Sequence, residues 1–126
     1  MRLVLDTGAL IALERNDRSM WRRFKAAHLA GLVPLSHGAV VGQAWRGEGP
    51  RQALLAKALA GIDVRPIDEG AGRRAGELLA ISGQGDVADA ALVLLANDGD
   101  HIVTSDIDDL EPLAEASRRL VELIRA

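Results

Sequence analysis

The sequence predicts an α/β fold in which a central parallel sheet is covered by helices on both faces. Short apolar runs recur along the chain, segments with helical spacing separate them, and these segments are long enough to hold crossover helices. Strands joined by such crossovers pair in parallel and are covered by the connecting helices. The chain has 126 residues, 48% of them hydrophobic, which suffices for one core. We therefore expect one domain that spans residues 1–126.

The first elements follow from apolar spacing. Residues 2–5, RLVL, form a short apolar run that stops at Asp6, which indicates a buried strand. GALIALER then has the composition of a helix. A second helix is predicted over residues 18–30, because its apolar residues recur at helical spacing and Gly31 is a suitable C-cap.

The next elements are predicted mainly from capping residues. Residues 32–35, LVPL, are expected to form the second strand. Ser36 is expected to cap a helix that runs through Trp45, because a serine hydroxyl accepts hydrogen bonds from the N–H groups of the first turn. Pro50 suits the first turn of a further helix that ends at Gly61.

The second half of the chain repeats the alternation. Residues 62–67, IDVRPI, are predicted to be the third strand, and Asp68 is expected to cap the helix that contains AGRRAGELLAIS. GDVADAALVLLAND, residues 85–98, contains an apolar helix. HIVTSD is then the fourth strand, and LVELI, residues 120–124, is a candidate fifth.

The composition excludes several classes of protein. The chain has no cysteine, so it has neither a disulfide framework nor a thiolate metal site. No apolar run reaches the length of a membrane span, and the N-terminus lacks the features of a signal peptide. We therefore expect a cytoplasmic protein without a membrane partner. The formal charge of −3 argues against a polycation that coats nucleic acid nonspecifically.

Carboxylates follow two of the predicted strands. Asp6 comes at the end of the first strand and Asp106 at the end of the fourth. Sites in open parallel sheets form beyond the carboxyl ends of the strands. Asp86 and Asp89 open the helix that precedes the fourth strand, and a helix packed antiparallel to the strands starts near the same edge. The sequence therefore predicts that four carboxylates converge there.

Two of these carboxylates have different explanations. Asp86 is explained well as a helix N-cap, although a cap can also be a ligand. Asp89 lies in an almost wholly apolar helix, where an unpaired carboxylate is costly and needs a cation, strong donors or a shifted pKa. It is either a structural acid favoured by the helix dipole or a metal ligand. We favour the metal ligand, because Lys25 and Lys57 are the only lysines and neither is close in sequence.

An all-carboxylate cluster suits Mg²⁺ or Mn²⁺. His28, His37 and His101 are scattered along the chain, which disfavours zinc. A cluster of this kind typically performs phosphate chemistry, by activating water and stabilising a leaving oxygen. Thr7 and Thr104 stand beside the strand-end acids and either orient ligands or simply pack as β-branched residues.

At this point the sequence resembles a known family. LVLDTGALIAL near the start, then DVADAALVLLA and HIVTSDIDDL, are similar in order and spacing to the motifs of the PIN-domain nucleases. The chain length resembles that of the toxin subunits of VapBC-type toxin–antitoxin pairs. The resemblance implies a three-layer α/β/α sandwich and Mg²⁺- or Mn²⁺-dependent cleavage of RNA. It also implies a homodimer and a VapB-like antitoxin that occupies the active site.

The resemblance assigns residues as well. It implies that Asp6, Asp89 and Asp106 are the catalytic and metal-binding acids, with Asp86 and Asp109 as secondary candidates. Arginines are more numerous than lysines in the chain and suit phosphate contacts, although any one of them is also typical of a solvated helix face. The candidates for contact with RNA are Arg22, Arg23, Arg46, Arg73 and Arg74.

One position departs from the family pattern. The family usually has a glutamate in the helix after the second strand, where SHGAVVGQAWRG has Gln43. An amide supplies an oxygen but no charge, so metal affinity would fall or one of two metal sites would be lost. Glu48 lies beyond Gly47 in a predicted loop and is not expected to substitute. The adjacent Trp45 is either a partly buried core residue or an RNA-stacking residue.

Two other functions remain open at this point. The first is a PIN-like module that binds RNA or protein without cutting, because of the amide at Gln43. The second is a phosphotransfer domain in which Asp6 accepts a phosphoryl group. The second is disfavoured, because Gly8 stands where one such family has an acid and no lysine follows Lys57. The nuclease is the function that the sequence favours.

Overall fold

Five short strands form one parallel sheet at the centre of the protein. The structure is a computed structural model that describes all residues, 1–126. The strands are β1 (Leu3–Leu5), β2 (Leu35–His37), β3 (Asp63–Arg65), β4 (His101–Thr104) and β5 (Glu122–Arg125). The helices are α1 (Thr7–Glu14), α2 (Arg18–Leu29), α3 (Gly38–Ala44), α4 (Pro50–Leu59), α5 (Glu69–Ser82), α6 (Val87–Val93) and α7 (Ile107–Ser117).

The order of the strands creates a crevice in the middle of the sheet. The order is β3-β2-β1-β4-β5, and every neighbouring pair is parallel. The chain builds outward from β1 through β2 to β3, and then returns to place β4 on the other side of β1. The strand order therefore reverses between β1 and β4, which is where open α/β sheets bind their ligands.

The helices form two separate layers. In one layer, α1 packs against α2, α3 and α4, and in the other α5, α6 and α7 pack against one another. This arrangement confirms the predicted three-layer α/β/α architecture. No helix of the structure is long and apolar enough to span a lipid bilayer.

The core lies where the helices cover the central strands. All three residues of β1 and three of the four in β4 are buried. Five of the seven residues of α6 are buried as well, as expected for a helix that is apolar nearly all round. This short helix is therefore fixed by packing, which also fixes the position of its N-terminal turn and of Asp89.

Several capping predictions are confirmed. Asp68 accepts a hydrogen bond from the backbone N–H of Ala71 at 2.9 Å, and helix α4 begins at Pro50. Asp86 accepts one from the backbone N–H of Asp89 at 3.0 Å. The carboxylate of Asp86 therefore fixes the first turn of α6.

The predictions for the second strand and for Ser36 were wrong. The second strand is β2, Leu35–His37, and not residues 32–35. Ser36 therefore lies inside the strand. The buried Ser36 hydroxyl donates to the carbonyl oxygen of Leu5 on β1 at 2.9 Å, so it bridges two strands instead of capping a helix. His37 is the N-cap of α3 instead, and its ring accepts a hydrogen bond from the Val40 N–H.

Other strand boundaries differ from the prediction as well. The third strand stops at Arg65 rather than residue 67, because Pro66 has no N–H to donate to the sheet. The fifth strand, β5, begins two residues later than predicted, and the N–H of the following residue, Ala126, donates to the carbonyl oxygen of Thr104.

Candidate active site at the carboxyl edge of the sheet

A buried pair of side chains forms the centre of the crevice. Asp6 follows β1 and is only 4% exposed, although it carries a carboxylate. Its carboxylate accepts a hydrogen bond from the hydroxyl of Thr104 at 2.7 Å. Asp6 precedes α1, but its side chain makes no capping hydrogen bond to that helix. One neutral donor is therefore the only hydrogen bond to this buried carboxylate.

Thr104 also connects the two strand-end acids. Its hydroxyl accepts a hydrogen bond from the backbone N–H of Asp106 at 2.9 Å while it donates to Asp6. Asp106 is exposed and precedes α7, and its side chain makes no capping hydrogen bond either. Asp109 is exposed one turn further along α7. Thr104 thus fixes the backbone of Asp106 relative to Asp6 and leaves the Asp106 carboxylate free to rotate.

The two aspartates of α6 complete the site. The pKa of Asp89 is raised from 3.8 to about 7, chiefly by burial of its carboxyl group and then by the negative charges of Asp86, Asp6, Asp109 and Asp106, in that order. Four other carboxylates are thus close enough to repel the charge on Asp89. Asp6, Asp86, Asp89 and Asp106 thus lie near one another together with Asp109, although no three of them surround one point.

No basic side chain neutralises this group. The ion pairs of the structure involve Arg2, Arg65, Arg73 and His101, and none of them includes an acid of the crevice. Clustered carboxylates without a cation are unfavourable, because each opposes ionisation of the others. This repulsion adds to the effect of burial, which is the larger cause of the raised pKa of Asp89.

The donor set fits a hard divalent cation. It consists of carboxylate oxygens, which Mg²⁺ and Mn²⁺ prefer, and a cation would remove the repulsion that raises the pKa of Asp89. As the side chains stand, no three acidic or histidine side chains surround a point that would hold an ion. Closure around a cation therefore requires the exposed carboxylates of Asp106 and Asp109 to rotate inward.

Gln43 lies at the edge of this site. Its amide oxygen accepts a hydrogen bond from the hydroxyl of Thr7, the residue after Asp6. Glu48 lies in the exposed loop between α3 and α4, and it is not among the acids that raise the pKa of Asp89. The structure thus places the amide, and not Glu48, beside the crevice.

The fold of this chain, and not its sequence, relates it to known proteins. No protein-family model matches the sequence, and no curated protein matches it. Among solved structures, this chain is similar to a chain of VapBC2 from Rickettsia felis, with a TM-score of 0.70. That crystal structure is of VapBC2 bound to a DNA fragment from the VapBC2 promoter. The likeness covers 100% of this chain and 99% of that chain, at 13% sequence identity. This chain has a PIN-like fold. Identity this low establishes the fold alone, so function must be argued from the site.

A buried histidine that sequence reasoning missed fixes α6 within the PIN-like fold. His37 is 1% exposed, and its Nδ1 accepts from the Val40 N–H at 3.3 Å. The ring proton is therefore on Nε2, which donates to the carbonyl oxygen of Ala88 at 2.8 Å. Ala88 precedes Asp89, so His37 ties the end of β2 to the turn that carries Asp89. The only signal in the sequence was a histidine after an apolar run.

The structure also requires a glycine at position 8, which was not predicted from the sequence. A β-carbon at this position would lie 2.9 Å from the backbone nitrogen of Ser105 and 2.7 Å from its Cβ. The start of α1 therefore approaches the loop between Thr104 and Asp106 so closely that a larger residue must displace one of them.

Gly8→Ala is expected to destabilise the protein by about 1–3 kcal/mol, because the added methyl group overpacks this contact. Gly42→Ala is the matched control, since Gly42 is exposed on α3 with no atom within 4 Å of an added β-carbon. The control is expected to stabilise by about 0.5–1 kcal/mol through the helix preference of alanine. Urea unfolding measures both, and equal stabilities for Gly8→Ala and wild type would contradict the close approach.

The five arginines proposed to contact RNA do not form one path on the PIN-like fold. Arg73 is paired with Glu69 at 2.9 Å, and Arg46 donates to the carbonyl oxygens of Gly42 and Trp45. The others lie on separate surfaces. Arg22 lines a groove beside α4, Arg23 lines an apolar hollow near the N-terminus, and Arg74 borders a small cavity between α5 and α6.

Proposed function

We propose that this chain is a VapC-type ribonuclease, the toxin of a toxin–antitoxin pair, and that its activity depends on Mg²⁺ or Mn²⁺. One observation carries the proposal. Five carboxylates without a basic partner meet at the strand-order reversal of a PIN-like sheet, and the pKa of Asp89 among them is raised to about 7. A strongly shifted carboxylate pKa in such a crevice is typical of a functional site.

Asp6, Asp89 and Asp106 would hold the ion, and Asp86 and Asp109 would contribute further negative charge. The bound cation would lower the pKa of a water molecule and neutralise charge that develops on the leaving oxygen of a phosphodiester. RNA is proposed as the substrate because of the resemblance to the toxin family, since the site itself recognises only a phosphodiester and a cation.

The residues around the acids have distinct tasks in this proposal. Thr104 holds the Asp6 carboxylate in one orientation and keeps Asp106 beside it. Asp86 accepts from the N–H of Asp89 and His37 donates to the carbonyl oxygen of Ala88, so the two together fix the peptide group that precedes Asp89. These contacts would hold Asp6 and the backbone of Asp89 in place before a cation binds.

The proposal extends to partners and location. The Rickettsia felis structure is of VapBC2 with a promoter fragment. By analogy we propose a VapB-like antitoxin for this chain, together with a homodimer. The cytoplasm is the expected compartment, because the proposed RNA substrate would be found there.

Gln43 modifies the proposal without reversing it. Its amide oxygen already accepts a hydrogen bond from Thr7, so it is held at the edge of the crevice. The amide adds no charge to a cluster in which repulsion has already raised the pKa of Asp89. We therefore propose that the other carboxylates suffice for activity, and that the amide lowers the affinity for the cation.

Cleavage of single-stranded RNA by the purified chain tests the function. We expect cleavage with Mg²⁺ or Mn²⁺, none in EDTA, and products with 5′-phosphate ends. Cleavage that is equally fast in EDTA, or binding of RNA with no turnover at any metal concentration, would contradict the proposed activity.

Thr104→Val is expected to lower the cleavage rate about 10–100-fold, because outer contacts that orient ligands typically contribute this much. Valine has nearly the same shape but leaves the buried Asp6 carboxylate without its donor. Thr104→Ser retains the hydroxyl and is expected to recover most of the activity. If valine and serine variants cleaved equally fast, the hydroxyl would have no role in orienting Asp6.

A further inference from the structure

A strongly basic groove lies on the helical layer that contains α1 to α4. It has a volume of about 500 Å³ and runs between α2 and α4. Four exposed cations line it, and no acidic residue does. We call it the basic groove and define it by Arg18, Trp21, Arg22, Lys25 and Lys57.

The cations of the basic groove are unpaired. None of them takes part in the ion pairs of the structure, whereas Arg2, Arg65 and Arg73 do. Both lysines of the chain, Lys25 and Lys57, lie in this groove. A chain with a net charge of −3 thus concentrates free positive charge in one concave surface.

The spacing of these residues places them side by side. Arg18, Arg22 and Lys25 are separated by four and three residues on α2, so they share one face of the helix. Like charges at this spacing repel and destabilise a helix. An anionic ligand with several charges would remove that repulsion.

Trp21 forms an aromatic wall of the same groove. Its indole N–H donates to the carbonyl oxygen of Leu13 at 3.0 Å, and Phe24 meets its ring edge-to-face at 5.5 Å. The ammonium group of Lys57 lies 6.0 Å from the ring centroid. The indole is therefore held in one orientation with a cation beside it. Cations combined with a fixed aromatic ring are typical of surfaces that bind single-stranded nucleic acid.

The position of the basic groove relates it to the crevice. Helix α1 begins directly after Asp6 and ends at Glu14, two residues before Asn16, which lines the groove. Eight residues of helix separate the two places by about 12 Å along the axis of α1. A strand of a few nucleotides covers such a distance.

We propose that the basic groove binds the phosphate backbone of single-stranded RNA a few nucleotides away from the acidic crevice. This inference rests on the proposed function, because it takes the RNA to be the strand that the crevice cuts. The crevice carries five carboxylates and attracts RNA only through its cation. The basic groove supplies attraction that does not depend on the cation.

Binding of a fluorescently labelled 12-nucleotide RNA in EDTA tests the inference without cleavage. The variant Lys25→Gln/Lys57→Gln is expected to weaken binding about 25-fold at 0.1 M salt. Loss of two phosphate contacts lowers the slope of log K against log salt by about 1.4, which corresponds to this factor one decade below 1 M. The control Arg65→Gln/Arg118→Gln removes the same charge from β3 and from the end of α7. It is expected to keep the wild-type affinity within about twofold.

Two results would overturn the inference. The first is an equal loss of RNA affinity in Lys25→Gln/Lys57→Gln and in Arg65→Gln/Arg118→Gln, which would mean that binding depends on the net charge and not on the groove. The second is displacement of the RNA by polyglutamate as effectively as by unlabelled RNA, which would indicate docking of an acidic protein segment. Thermal unfolding of each variant verifies that these exposed substitutions leave the fold intact.

Cleavage kinetics with Mg²⁺ separate this inference from the proposed function. For a long RNA, the double variant Lys25→Gln/Lys57→Gln is expected to have a higher KM than the wild type and nearly the same kcat, because the groove does not touch the reacting phosphate. If the double variant cleaved RNA with the wild-type KM, the groove would have no role in RNA binding, and the proposed nuclease activity would be unaffected. RNA binding that depends on the two lysines, without cleavage at any metal concentration, would support the groove and refute the nuclease.

Discussion

Asp106→Asn is expected to lower the rate of metal-dependent RNA cleavage at least about a hundredfold, because loss of a ligand should cost more than loss of an outer contact. Asp106 is exposed, and its carboxylate accepts no capping hydrogen bond, so the amide should not disturb the fold. Its backbone N–H still donates to Thr104 in the variant. The expected loss is therefore a loss of charge at the crevice and not of structure.

Asp108→Asn is the matched control for this substitution. Asp108 lies in the same first turn of α7 and is also exposed, but it is not among the acids that raise the pKa of Asp89. We expect its cleavage rate to stay within about twofold of wild type, as for a surface substitution away from a site. Similar rates for the two variants would show that Asp106 has no special role.

Asp89→Asn is expected to abolish cleavage and to stabilise the metal-free protein. The pKa of Asp89 is raised from 3.8 to about 7 in the folded protein, so the folded state holds a proton that the unfolded state has lost between those values. Stability from this group is fully present below pH 4 and is lost as the pH rises through 7. Asparagine does not ionise and escapes this loss.

The gain should develop between about pH 4 and pH 7 and be complete above the pKa of Asp89. At pH 8 in EDTA we expect Asp89→Asn to raise the free energy of unfolding by about 1–2 kcal/mol, since water partly screens this incompletely buried carboxylate. At pH 4 the two proteins should differ by less than about 0.5 kcal/mol. Urea unfolding at both pH values measures the difference. A variant that is less stable than wild type at pH 8 would mean that the Asp89 carboxylate is not repelled by its neighbours.

Much of the site could be predicted from sequence because it depends on local signals. Asp6 and Asp106 each follow a short apolar run, and parallel strands bring their carboxyl ends to one edge. Asp86 has the sequence signature of a cap, and Asp89 stands out because the helix around it is apolar. In each case the nearest neighbours in sequence determine the position of the side chain.

The remaining features depend on contacts between distant segments. Ser36 had the composition of a cap, but its hydroxyl bonds to Leu5 of the neighbouring strand. Gly8 is required by Ser105, which lies far along the chain. The basic groove exists only because α4 packs beside α2 and brings Lys57 next to Lys25. Single-sequence spacing carries no information on these pairings.

Calorimetric titration of the metal-free protein with Mn²⁺ tests the central claim most directly, because it detects a cation at the acid cluster without RNA. In buffers that differ in ionisation enthalpy, binding should release about 0.9 protons per ion at pH 6, about 0.5 at pH 7 and few at pH 8, as Asp89 loses its proton. Asp89→Asn should bind Mn²⁺ more weakly and without this release. Absence of saturable binding in wild type, or the same affinity and proton release in Asp89→Asn, would contradict a metal site formed by these carboxylates.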